Sequence, residues 1–127
     1  MGQFAAVLAL VAAAIHVYIF VLESLWWTSP RGRAVFGTTE TEAAATRELA
    51  FNQGFYNLFL AVIAAVGAVT LLAGATTIGP TLVVAGCGSM VAAGLVLLIS
   101  DRTKTRPALV QLGAPLIALV ALAISAA

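Results

Sequence analysis

Six side chains able to hold a ligand or exchange a proton lie within apolar runs: His16 and Glu23 in one run, and Asn52, Gln53, Tyr56 and Asn57 in another. Gln111 stands in a third. Histidine changes protonation near neutral pH, glutamate offers a charge or a proton, and the amides and the phenol donate and accept hydrogen bonds. An ionisable side chain left in hydrocarbon costs roughly 3 kcal/mol or more on insertion scales, so such residues must be satisfied inside a helix bundle. Read together, the seven describe a polar pocket for a small amphipathic or cationic ligand, with Glu23 as counter-charge. As an acid and base pair, His16 and Glu23 could instead act on a lipid-like substrate, which leaves catalytic roles open. The plainer alternative is that the same groups glue helices together, each bond contributing about 0.6 to 2 kcal/mol in a membrane. In that case Glu23 would pair near the interface with Arg47 or Arg31.

The elements that would position these residues follow from composition. Of the 127 residues 62% are hydrophobic and 9% charged, against roughly 45–50% and 25% in a soluble domain. Five acids and six bases cannot cover a soluble globule of this size. The apolar surplus must face lipid. Four runs are long enough to cross a bilayer, at about 3–27, 47–73, 80–100 and 107–126. The fold class is therefore all-α, a polytopic membrane protein built as a four-transmembrane-helix up-and-down bundle in a single domain.

Between the spans, Thr28 to Arg33 supply turn formers and charge, and a loop is expected to about Thr38. Thr39 and Glu42 have the spacing of a capping box, so the second helix starts in water. The cytoplasmic loops are 28–46 and 101–106. All six basic residues flank these two connections, Arg31, Arg33 and Arg47 at one and Arg102, Lys104 and Arg106 at the other. The positive-inside rule then makes a multi-pass protein of the cell inner (plasma) membrane with both termini extracytoplasmic. Trp26 and Trp27 read as an aromatic belt at headgroup depth. No basic n-region precedes the first apolar run, so that run is expected to stay as a membrane helix.

Helical periodicity puts Ala9, Ala13, His16, Phe20, Glu23 and Trp27 on one stripe, and Ala50, Gln53, Asn57, Ala61, Ala64 and Ala68 on another. These two faces are expected to meet. At ~1.5 Å per residue Glu23 lies about 6 Å and His16 about 16 Å from the cytoplasmic end, which sets Glu23 opposite Gln53 and His16 nearest Asn57. Asn52 and Tyr56 would flank the pocket toward a neighbouring helix, and Gln111 would close it.

The lone cysteine, Cys87, between Gly86 and Gly88, lacks any metal-ligand spacing and reads as buried packing. No metal or cofactor is implied. Net charge of +1 gives no nucleic-acid surface. A homodimer is expected through the small-residue stripe Ala85, Ser89 and Ala93.

The run His16-x-Tyr18-x-Phe20-x-x-Glu23 with Trp26 beyond it, followed by Asn52-Gln53-Gly54-x-Tyr56-Asn57, resembles a family of small bacterial four-span membrane proteins catalogued as a domain of unknown function. That resemblance covers nearly the whole chain and implies four membrane helices without an activity. In architecture the chain is also similar to sterol-isomerase-type bundles, where acidic, His, Asn and Trp side chains line a pocket for an amphipathic ligand. Three functions follow: binding or transport of a small amphipathic, lipid-like ligand, acid/base enzymology on such a molecule, or an accessory subunit of a membrane complex.

Overall fold

The computed structural model describes all 127 residues. Helix α1 spans Gly2–Phe20 and continues through a π-helical turn, Val21–Leu25. A short α2 covers Pro30–Phe36, α3 covers Glu40–Leu72 and α4 covers Ile78–Ser100. A 3-10 turn at Arg102–Lys104 leads into α5, Thr105–Ala126. Four stretches, Gly2–Leu25, Glu40–Leu72, Ile78–Ser100 and Arg102–Ala126, are long and apolar enough to cross a bilayer. The chain is an all-α, multi-pass membrane bundle.

In cross-section the long helices form a ring in the order α1, α3, α4, α5, with α5 back against α1 and with α1 and α4 diagonal. Alanines fill the centre. Ala5, Ala6, Ala9, Ala12 and Ala13 of α1 meet Ala61, Ala64 and Ala68 of α3 and Ala118 and Ala121 of α5, around Val83, Cys87 and Met90 of α4. Lipid gives helices no hydrophobic reason to associate, so close backbone approach over small side chains supplies the packing. The larger apolar residues, Val62, Val69, Val84, Val96, Ile99 and Ile117 among them, point away from the core. Cys87 is fully buried within this core. Ala85, Ser89 and Ala93 face out of the bundle, and the Ser89 hydroxyl donates to the Ala85 carbonyl of its own helix at 2.7 Å.

Both connections at the basic end are structured. Thr39 and Glu42 form the expected capping box, with the Thr39 hydroxyl accepting from Glu42 N at 3.1 Å and Thr39 N donating to the Glu42 carboxylate at 2.8 Å. The expected loop to Thr38 is corrected: it contains α2. Ser29 caps that helix by accepting from Gly32 N at 3.1 Å, Pro30 occupies its first turn, and Gly37 ends it at φ 65°. Serine then proline is a helix start as well as a turn signal, and only the downstream glycine distinguishes them. At the other connection Asp101 accepts from Thr103 N at 3.0 Å and pairs with Lys104 at 3.1 Å. Inside α5, buried Pro115 has no N–H for the Gln111 carbonyl one turn back.

Candidate functional site

The seam between α1 and α3 holds the most polar contacts in the membrane region. In the π turn, where Trp26 N donates to Val21 O at 2.9 Å, the extra residue in the ring turns Leu22 and Glu23 inward on adjacent faces. Glu23 is buried, and its carboxyl oxygen accepts from the Asn57 side-chain amide at 2.8 Å. The same amide also reaches the Gln53 carbonyl at 3.3 Å. Next to it, the Ser24 hydroxyl donates to the Phe51 carbonyl at 2.7 Å. Gly54 makes this approach possible, because a β-carbon there would overlap the Ser24 hydroxyl. His16 is buried two turns deeper, with its Nδ1 2.9 Å from the Ala12 carbonyl. That contact assigns the proton to Nδ1 in the neutral ring.

The expected pocket is only partly assembled here. Glu23 and Asn57 do meet, as the two stripes require. The register differs from the expected one: Glu23 faces Asn57 rather than Gln53, and by the same antiparallel count His16 stands level with Ala64. The offset arises because Ser24 seats on Gly54 and the π turn ends α1 before Trp27. No arginine pairs with Glu23; the only ion pair in the chain is Lys104 with Asp101. Seven residues of helix separate His16 from Glu23 by about 10 Å.

Asn52, Gln53 and Tyr56 face outward rather than into the seam. Asn52 satisfies its amide on the Glu48 carbonyl of its own helix at 3.2 Å. The expectation that Asn52 and Tyr56 flank a pocket with Gln53 inside it fails because no helix packs on that side of α3. Gln111 belongs to α5, which packs on a different side of α1 from α3, and it lines a cavity away from the α1–α3 seam.

What Gln111 does line is a cavity of about 620 Å³ between α1, α2 and α5 at the basic end. From α1 and its π turn it takes Ile15, Tyr18, Ile19 and Leu22, and from α2 Arg31, Ala34, Val35 and Phe36, with Gly37 just beyond. Thr103, Lys104, Arg106, Pro107, Val110 and Gln111 form the far side. The volume lies within the range of roughly 300–1,000 Å³ that encloses small-molecule ligands. Along α1, Leu22 faces this cavity while its neighbour Glu23 faces α3, so the π turn divides the two regions.

Helix α2 forms the outer wall and is fastened at two points. Arg31 Nε donates to the Tyr18 hydroxyl at 2.9 Å, with the guanidinium 6.0 Å from the Tyr18 ring centre. Phe36 packs on Trp27 with ring centres 5.2 Å apart. Trp27 in turn donates its indole N–H to Thr46 at 3.0 Å, fixing the wall to α3. Trp27 is thus a half-buried structural anchor, whereas Trp26 stays exposed as a belt residue would. Sequence reasoning missed this wall. The Ser29-Pro30 start and Gly37 stop mark α2, but nothing in the spacing shows that Tyr18 would receive Arg31.

Over residues 10–123 the chain matches the family described as Protein of unknown function (DUF1304), and it belongs to that family. No curated protein and no solved structure matches it.

Proposed function

Since membership of that family brings no activity with it, we propose that the chain binds a small amphipathic, lipid-like molecule in the cavity between α1, α2 and α5. One observation carries this reading: a half-open cavity of about 620 Å³ at one end of a membrane bundle is lined by apolar side chains together with Tyr18, Arg31, Lys104 and Gln111. Ile15, Ile19, Leu22 and Val110 offer a hydrocarbon chain the surroundings it has in lipid. Tyr18, Arg31, Lys104 and Gln111 offer its head hydrogen bonds at the bilayer surface.

Under this reading the basic end faces the cytoplasm, because every lysine and arginine stands there, and both termini are extracytoplasmic. Glu23 and Asn57 serve by holding the π turn that supplies the Leu22 wall. His16 lies deeper in the same seam and packs the helices.

The test is retention of a neutral probe. Chain purified in a nonionic detergent is incubated with dodecanol and the complexes are counted by native mass spectrometry. A single dodecanol bound per chain, lost in Ala34→Trp, which fills the cavity, supports the reading. No retained dodecanol, or retention unchanged in Ala34→Trp, overturns it.

A further inference from the structure

We propose that the occupant of this cavity is a single-chain amphiphile with an anionic head, gripped by Arg31 and Arg106; the inference rests on the cavity being the ligand site. Three of the residues lining the space are cations, Arg31, Lys104 and Arg106, and none is an acid. Lys104 is already balanced by Asp101 at 3.1 Å. Arg31 and Arg106 have no carboxylate partner, since that one ion pair is the only one in the chain. Both guanidinium groups are therefore uncompensated beside an apolar cavity.

The orientation of Arg31 distinguishes this arrangement from a simple row of surface charges. Its Nε reaches back 13 residues to the Tyr18 hydroxyl, which holds the exposed side chain against α1 beside the cavity. A guanidinium has five N–H donors in a planar fork, and that bond uses one of them. The remaining edge is free to receive the two oxygens of a carboxylate or a monophosphate ester, the geometry in which arginine binds most strongly. A cationic ligand, expected when Glu23 was read as counter-charge, would meet two unpaired like charges here, while Glu23 lies in the other seam, bonded to Asn57. The size of the space favours one hydrocarbon chain, since about 620 Å³ is the volume of a drug-sized site and a membrane phospholipid carries two chains.

The experiment compares dodecanoate with dodecanol at equal concentration and about pH 8, using purified chain in nonionic detergent and native mass spectrometry. Charge-assisted hydrogen bonds predict that dodecanoate is retained about tenfold or more over dodecanol. Arg31→Gln with Arg106→Gln should abolish the preference, so that this variant retains dodecanoate no better than it retains dodecanol. Both arginines are exposed and outside the helical core, so the double variant keeps the fold, which an unchanged unfolding midpoint checks. Equal retention of the two probes in the unmodified chain, or a preference that survives the double substitution, overturns the anionic head while leaving the amphiphile site standing. Displacement of dodecanoate by an acidic two-chain phospholipid at equal concentration overturns the single-chain assignment. Failure to retain either probe overturns the site itself.

Discussion

The side-chain amide of Asn57 donates to the carboxyl group of Glu23 across 2.8 Å, joining two helices through residues 34 positions apart in the chain. Replacing Asn57 by leucine leaves a buried oxygen without its donor, at a cost of about 1–3 kcal/mol. Glu23→Gln keeps an acceptor facing the same amide and should change stability by less than about 0.5 kcal/mol. The double variant Glu23→Leu with Asn57→Leu should recover part of the loss, giving a coupling of about 0.6 to 1.7 kcal/mol, as is usual for hydrogen bonds within membranes. Reversible unfolding in mixed micelles of the parent, Glu23→Leu, Asn57→Leu and the double variant closes the cycle, with Glu23→Gln measured beside them. A destabilisation by Glu23→Gln equal to that by Asn57→Leu would show that the charge itself holds the seam.

One turn away, Gly54 and Ser24 set how closely α3 can approach α1. Gly54→Ala should destabilise by about 1–3 kcal/mol through overpacking, because the new methyl meets both the hydroxyl and the backbone of Ser24. Ser24→Gly added to it should restore only part of the loss, since the backbone contact remains and the bond to the Phe51 carbonyl is gone. Thermal unfolding of the single and double variants tests this. Full restoration would mean that the hydroxyl alone limits the approach.

How far these contacts could be read in advance depends on what periodicity encodes. A helical stripe of Ala9, Ala13, His16 and Glu23 names a face, and the alanines of α3 name its partner. Those faces do pack together. Periodicity does not encode the order of helices around the ring, so Gln111 could be placed at the right depth yet assigned to the wrong seam. Nor does it encode axial register within one turn, which here depends on a glycine receiving a serine and on a π turn that no apolar spacing betrays. The cavity was illegible for a further reason: its outer wall is a seven-residue helix, too short for a hydrophobic period to stand out from a loop.

Asp101 makes the connection before α5 sensitive to acid. The Thr103 hydroxyl, then Lys104 and the Thr103 amide, hold its carboxyl below the ordinary aspartate range. A depressed carboxylate stabilises the folded turn above its unfolded pKa, and that contribution is lost as pH falls through the lower, folded value. The Thr103 amide resonance should therefore titrate with a midpoint below that of free aspartate, and Asp101→Asn should abolish the titration. A midpoint at or above the free value would contradict the geometry of this turn.

Orientation is testable by fusion. With the basic end in the cytoplasm, alkaline phosphatase joined after Ala127 should be active, and the same enzyme inserted between Arg102 and Arg106 should be inactive. The reverse pattern would place the mouth of the cavity, and the supply of its ligand, on the other side of the membrane.

The outer wall offers the last test, because α2 supplies four of the cavity's lining residues yet has only seven of its own. Gly32 lets it lie against the preceding turn: a β-carbon there would overlap the Trp26 carbonyl oxygen. Gly32→Ala should lift α2 away while leaving the four-helix core untouched, since no core residue belongs to α2. Trp27 emission should shift as Phe36 leaves its ring, and retention of dodecanol should fall with it, while the unfolding midpoint changes little. An emission shift with retention unchanged would show that the amphiphile needs only α1 and α5, and that α2 covers the site without forming it.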